Sequence, residues 1–220
     1  MKLGRLETTV YRIPTDRPEA DGTFAWNSTT VVAVEVRSDD GARGLGWTYA
    51  SAAAAGVIHE VLVPCLEGRA LDDVRGAWNA MLAAVRNIGR GGVAATAISA
   101  VDVALWDLSA RAQERPLFEV LGAARNHVSV YGSGGFTSYS VDQLVDQMTG
   151  WVAEGIPRVK MKIGGGEGAS VAGDVDRMGA VRAAIGPAPE LFVDANGAYS
   201  AKQAIRLARE VEGVASYFEE

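Results

Sequence analysis

The chain has 220 residues, 48% of them hydrophobic and 22% charged, and a net charge of −6, enough to bury a sizeable core and ill suited to disorder or to a polyanion-binding surface. No basic run with interleaved aromatics is present, so a nucleic-acid partner is not expected. The single Cys65 excludes an internal disulfide framework and a cysteine-only metal site; no apolar signal core opens the chain and no segment reads as an uninterrupted membrane span, so a cytoplasmic protein without a membrane partner is expected. A homo-oligomer is the expected assembly.

Residues 3–13 suit a strand, and the β-branched run 30–37 predicts a second. Ser38-Asp39-Asp40-Gly41 supplies turn chemistry and 44–49 returns as a partner, giving a small antiparallel sheet. Between the first two strands, 14–27 is polar, contains Pro14, Pro18 and Gly22, and reads as a loop able to cover a site, with Phe24 and Trp26 as its aromatic contacts. Apolar residues at three-and-four spacing predict helices over 52–66 and 71–87, and the glycines of 89–92 break the second. Residues 97–111 are apolar around most of a helical circumference, which predicts a buried helix whose Asp102 and Asp107 make structural hydrogen bonds. Pro116 and Gly122 close this region, and a boundary near Arg125 separates domains 1–125 and 126–220.

Beyond Asn126 strands at 128–131, 159–163, 191–194 and 214–218 alternate with helices at 141–154, 173–185 and 201–212. Four short strands separated by amphipathic helices predict parallel βα units with right-handed crossovers. The last strand has no helix after it, and an uncovered parallel edge is one a soluble domain normally pairs, so further βα units are expected beyond Glu220.

Within this alternation Lys160 and Lys162 share one face of a strand and Met161 takes the other. Two ammonium groups flanked by Val159, Met161 and Ile163 repel each other and need a counter-charge, unless they are surface lysines on an edge strand. The next two strands end in Asp194, with Asn196 of the same parity, and in Glu219 and Glu220. Strand C-termini are where parallel sheets bind ligands. Hard oxygen ligands converging there suit Mg2+. With a carboxylate substrate, one lysine would neutralise the carboxylate and the other remove the proton from the adjacent carbon, leaving an enolate to be stabilised. To be that base Lys162 has to be neutral near pH 7, which Lys160, a divalent cation and desolvation all favour. Two other readings stand beside this one. Residues 164–169 match a loose dinucleotide fingerprint, which would make a dehydrogenase, although a Rossmann first strand has no use for the lysines. A non-catalytic pseudoenzyme or assembly module would keep the fold and lack the chemistry. His59 and His127 have no ligand-spaced partners and read as ordinary residues.

The runs Val159-Lys160-Met161-Lys162-Ile163-Gly164, Val193-Asp194-Ala195-Asn196-Gly197 and Tyr217-Phe218-Glu219-Glu220, with Ala104-Leu105-Trp106-Asp107 and residues 116–122, resemble the mandelate racemase and muconate lactonizing enzyme branch of the enolase superfamily. The likeness spans nearly the whole chain. It implies an α/β fold, with an N-terminal α+β capping domain over 1–125 and the first half of a modified TIM (β/α) barrel over 126–220. It also implies Lys162 as the acid/base, Lys160 beside the substrate carboxylate, Asp194 and Glu219 as the first two Mg2+ ligands, and Asn196 next to metal and substrate. Ser133 becomes a carboxylate contact, and Glu220, of opposite strand parity to Glu219, supports the ligand set from behind. The cap segments 14–27 and 48–54 would close over the barrel mouth, with Phe24, Trp26 and Tyr49 as substrate contacts. In that family a third metal ligand and an opposing acid/base lie on later strands, so a protein of only these residues is expected to be inactive. The implied reaction is racemisation or epimerisation, dehydration or cycloisomerisation; the polar stretch 133–140 favours a hydroxy-acid or sugar-acid substrate.

Overall fold

The structure is a computed structural model and describes residues 2–219. The chain divides into two compact units: residues through Pro14 with Ser28–Asn126, and Thr15–Asn27 with the chain from His127 onward. Three hydrogen-bonded strands, β1 (Leu3–Ala20), β2 (Ala25–Ser38) and β3 (Arg43–Tyr49), stand in that order across one sheet, the end of β1 and the start of β2 being counted with the second unit. β2 and β3 are antiparallel, in register from Val31 opposite Tyr49 to Arg37 opposite Arg43. Alternation turns Val32, Val34 and Val36 into the core, where they are fully buried.

The segment 14–27, expected to be a loop, is strand except for the turn between β1 and β2. Pro14 and Pro18 carry a loop signature that an edge strand also accepts. β1 is an outer strand, and a proline there only has to turn its missing donor away from the ladder. The turn itself is local chemistry: Asp21 Oδ1 accepts from the backbone N–H groups of Thr23 at 2.7 Å and Phe24 at 2.8 Å.

Four helices follow in the first unit. α1 (Ala53–Leu66) carries a π turn over Ile58–Leu62, and α2 (Val74–Ala84) is capped by Asp73, whose side chain accepts from Gly76 N at 3.0 Å. α3 (Val93–Ala112) is the central helix, and α4 (Leu117–Val120) is a single turn. α3 is long and apolar enough to cross a membrane by length and composition alone, contrary to expectation; its Ala97, Ile98, Val101, Ala104 and Leu108 are buried in the unit's core. β3 lies so close to it that a Cβ on Gly46 would fall 2.6 Å from the Ala104 nitrogen and still nearer the Ala100 carbonyl. Asp107 fixes the same contact, accepting from Leu45 N and from Arg111 Nε, both at 2.8 Å. Asp102, expected to behave likewise, has no hydrogen-bond or ion-pair partner among the described residues.

The second unit repeats strand and helix: β4 (Gly132–Ser133), α5 (Val141–Ala153), β5 (Arg158–Lys162), α6 (Val171–Ile185), β6 (Glu190–Asp194), α7 (Ala201–Glu210) and β7 (Tyr217–Glu219). Its strands are parallel and stand side by side in chain order. Among the described residues that order has no topological switch point, the feature a dinucleotide-binding fold places its ligand at. α5 and α7 each start with a capping box, Ser140 with Gln143 and Ser200 with Gln203. β4 is shorter than expected: 128–131 stay outside the ladder, with Val128 and Val130 exposed, because the pairing to β5 begins only at Gly132 opposite Val159. One face of the sheet is apolar, with Val159, Met161, Ile163, Leu191 and Val193 fully buried against Leu144 and Met148 of α5, Met178 and Val181 of α6 and Leu207 of α7. Each such side chain contributes roughly 1.5–3 kcal/mol through burial, which anchors the strands and so positions whatever the opposite face carries.

Candidate active site

The opposite face is set by register. Lys162, Asp194 and Glu219 stand in one row across β5, β6 and β7, and Lys160, Phe192 and Tyr217 form the row before it, with Ser133 beside Lys160 on β4. Period-two alternation therefore delivers two lysines and two carboxylates to neighbouring positions. Lys160 Nζ lies between the acids, 3.0 Å from Asp194 Oδ2 and 2.6 Å from Glu219 Oε2. Lys162 Nζ is 2.5 Å from the same Asp194 oxygen and 2.8 Å from Asn196 Oδ1. The other Asp194 oxygen accepts from Asn196 N at 3.1 Å, across a left-handed turn with Asn196 at φ 48°.

Asp194 is 1% exposed and Lys160 6%. Burying an isolated ion costs roughly several kcal/mol, so the four charges are held by one another. Burial acts to raise the Asp194 carboxyl, but hydrogen bonds from Lys162 and Lys160 outweigh it and hold the group below the usual carboxylate range. For Lys160 burial acts in the opposite sense; Glu219 and Asp194 override it and keep the ammonium protonated above the ordinary lysine value. Tyr131 adds a ring face 5.4 Å from Lys160 Nζ and packs edge-on to Phe192, which in turn meets Tyr217. These aromatics were not anticipated, although Phe192 and Tyr217 share the strand parity of the charged residues.

Asp194 and Glu219 fit two positions of a hard-oxygen metal site: they are in cross-strand register, and a cation, the Lys160 ammonium, already lies between them. No group of three or more His, Cys, Asp or Glu side chains able to hold a metal occurs among the described residues. Glu220, the supporting acid expected from sequence, lies outside them.

The other expected contacts separate into two groups. Ser133 is exposed at the end of β4, in register with Lys160. Trp26 donates from Nε1 to Glu19 Oε2 at 2.7 Å, packs edge-on to Phe136 and stacks with the exposed Phe24, so both aromatics join the loop after β4 rather than the lysine cluster. Tyr49 belongs to the first unit, at the end of β3, and is exposed. The turn between β1 and β2 docks on three strand-end loops. Thr137 Oγ1 donates to the Asp21 carbonyl at 2.8 Å, Glu167 N to the Gly22 carbonyl at 3.1 Å, and Thr23 Oγ1 to the Asn196 carbonyl at 3.3 Å. A Cβ on Gly22 would meet the Ile163 carbonyl at 3.0 Å and the Ala198 Cβ at 2.7 Å, so the approach requires glycine. Nothing in the sequence around Thr137 announces a partner more than a hundred residues away.

Residues 6–122 match the family described as mandelate racemase / muconate lactonizing enzyme, N-terminal domain, and 143–220 match the enolase C-terminal domain-like family. The chain is 36% identical over 212 residues to a 3,6-anhydro-alpha-L-galactonate cycloisomerase of Streptomyces coelicolor, covering 94% of this chain and 58% of that protein. It is 35% identical over 186 residues to the L-talarate/galactarate dehydratase of Salmonella typhimurium, covering 83% and 46%. Among solved structures, a mandelate racemase/muconate lactonizing enzyme-like protein from Rubrobacter xylanophilus superposes with a TM-score of 0.92 at 45% identity, over 99% of this chain and 60% of that one. A racemase from Streptomyces coelicolor, solved with bound magnesium, gives 0.92 at 34% identity, over 98% and 61%. The chain thus spans about half to three-fifths of the length of these relatives. By sequence and by fold it belongs to the mandelate racemase/muconate lactonizing enzyme branch of the enolase superfamily, and consists of that branch's N-terminal capping domain and part of its parallel TIM-barrel sheet.

Proposed function

We propose that this chain supplies the cap and the proton-abstracting half of an enzyme that removes the proton α to the carboxylate of a hydroxy acid or sugar acid. Lys162 takes the proton. Lys160, one row behind it and turned toward the same oxygen, neutralises the substrate carboxylate, and Ser133 donates to it from the neighbouring strand. Asn196 holds the Lys162 amine toward the reacting carbon through the 2.8 Å contact to its Oδ1. Asp194 and Glu219 would hold Mg2+, which when bound supplies positive charge opposite the negative charge that builds on the carboxylate. Phe24 and Trp26, on the turn packed against the loop after β4, would screen the strand ends from water rather than touch the lysine cluster.

The observation that carries this reading is the convergence of Lys160, Lys162 and Asn196 on Asp194, beside Glu219 in register. Support for the substrate class comes from the cycloisomerase and the dehydratase, which are named for galactonate, talarate and galactarate, and for the metal from the magnesium-bound racemase. The enolate formed can be reprotonated, can expel a β-hydroxyl or can arise in cycloisomerisation. The test is α-proton exchange in deuterated buffer, followed by NMR over a panel of aldonates and aldarates with Mg2+, on a chain completed to the length of its relatives. Lys162→Ala is expected to lower exchange by about 10³-fold, as loss of a general base does. Exchange that persists in Lys162→Ala, or no exchange and no Mg2+-dependent change in the parent, would refute the assignment and leave an assembly role.

A further inference from the structure

Helix α6 begins on the covered side of the sheet, yet two of its side chains reach the loops beyond the strand ends. Asp174 is 5% exposed; its Oδ2 accepts from the backbone N–H of Gly164 at 3.0 Å and from the Tyr199 hydroxyl. Arg177, three residues on and therefore on the same helix face, donates from Nη1 to the Tyr139 carbonyl at 2.7 Å and from Nη2 to the Phe136 carbonyl at 3.0 Å. Its Nε is buried with no hydrogen-bond partner, so those two carbonyls are the guanidinium's acceptors, and the charge of Asp174 favours it as well. Burial, and then the bond to Asp174, keeps the Tyr199 hydroxyl protonated above the ordinary phenol value and hence a donor.

The places these bonds reach are not random. Gly164 follows Lys162 by two residues, and Tyr199 follows Asn196 by three. Residues 136–139 follow Gly135, whose carbonyl accepts from Lys162 N at 2.9 Å. Each loop turns on a left-handed residue, with Gly135 at φ 60°, Gly164 at φ 80° and Asn196 at φ 48°. Asparagine is one of the few residue types with a Cβ that enters this region readily, and here the N–H of Asn196 is bonded to Asp194 Oδ1. The loops also interlock sterically: a Cβ on Gly164 would lie 2.7 Å from Ala198 Cβ, and one on Gly168 2.9 Å from the Tyr199 ring. A buried carboxylate is costly unless fully bonded, and here its oxygen is committed to a backbone N–H and a phenol rather than to either lysine.

We infer that Asp174 and Tyr199 are positioning residues that fix Lys162 Nζ against Asn196 Oδ1 by tying the loop after β5 to the loop after β6, with Arg177 extending the same constraint to the loop after β4. The inference rests on the proposed role of Lys162, which none of the three residues touches. A misplacement of about 1 Å at a reacting group can cost on the order of 10²-fold in rate, so loss of the phenol bond acts on turnover before it acts on binding.

The decisive variants are Tyr199→Phe and the pair Asp174→Asn and Asp174→Ala, compared with Lys162→Ala. Amide hydrogen exchange is read on the 220-residue chain, and α-proton exchange on the completed protein. Tyr199→Phe is expected to speed exchange at 164–168 and 196–199 by about tenfold while 159–161 and 191–193 stay as they were. Its kcat falls by about 30-fold with KM within about twofold, and Asp174→Asn, which keeps an acceptor for Gly164, retains more kcat than Asp174→Ala. Uniform acceleration of hydrogen exchange through the second unit, or kcat within about twofold of the parent, would overturn the inference. Should Lys162→Ala keep its activity, the proton-abstraction reading fails and with it the role assigned to Asp174 and Tyr199, whereas a fall in Lys162→Ala alone fails only the positioning claim.

Discussion

Strands β3 and β5 both lay one face against helices, and they meet that demand in opposite ways. β3 turns Gly44, Gly46 and the buried Thr48 inward, so the backbone of α3 comes up against it, and leaves Leu45, Trp47 and Tyr49 exposed on the other side. β5 turns Val159 and Met161 inward, with Ile163 continuing that face just past its end, and its remaining face carries Lys160 and Lys162, neutralised by acids from the next two strands. Nothing on the packed face of β3 titrates, and its fit depends on shape. On β5 the buried charges are tolerated only because their sum is balanced. Steric and electrostatic perturbations should therefore behave differently in the two units.

The steric half of the comparison carries the larger expected effect. Gly46→Val would place branched carbons on the Ala100 carbonyl and the Ala104 nitrogen, backbone atoms of a helix that cannot give way locally. We expect a loss of at least about 4 kcal/mol, above the usual overpacking range because the obstruction is backbone rather than side chain. Urea unfolding read by circular dichroism measures it. A midpoint shift worth less than about 1 kcal/mol would mean that β3 and α3 separate easily, and the contrast with β5 would lose its first leg.

Asp194→Asn tests the electrostatic half, with an expected cost of about 3–5 kcal/mol at pH 7, since it leaves the buried Lys160 and the partly buried Lys162 with one fewer counter-charge. Its pH dependence has a definite sign. The folded carboxyl is held below its ordinary value, so its contribution is fully present above the unfolded pKa of about 3.9 and is lost as pH falls through the lower folded value. The stability gap between parent and variant should stay constant from pH 7 to pH 5 and close only below about pH 3.9. Unfolding midpoints taken across that range decide it, and a gap already closed at pH 5 would show that Asp194 is not held down by the lysines.

These contrasts also explain what was legible in the sequence. The parity of Lys160, Lys162, Asp194 and Glu219 follows from a period of two, which survives any error in strand ends, and the site face was readable for that reason. The helices of both units were readable from three-and-four spacing. The strand character of 14–27 was not, because Pro14 and Pro18 carry the same local signature in an edge strand as in a loop, and only the sheet order distinguishes them. Nor was the link from Asp174 to Tyr199: those residues are 25 apart, belong to no common period, and meet only because consecutive βα units bring their loops to one end of the sheet.

Asp102 gives the smallest expected effect and the cleanest contrast. It lies on α3 with burial raising its carboxyl above the usual range, and no described cation or donor answers it, unlike Asp194, where the same penalty is overcome by two lysines. Because the folded pKa is raised, the folded state takes up a proton more readily than the unfolded chain does, and the charged form is a net cost at neutral pH. That cost falls away as pH drops through the folded value and is gone below the unfolded value of about 3.9. Asp102→Leu should therefore stabilise the first unit by a few tenths of a kcal/mol at pH 7, a gain limited by the solvent that still reaches the side chain, and the gain should shrink to what added apolar contact alone provides near pH 3. Thermal midpoints of parent and variant at the two pH values resolve this. Equal gains at both would assign the whole effect to packing, and a loss at pH 7 would mean that the carboxylate of Asp102 is answered by a partner, making the charge logic of the two units alike.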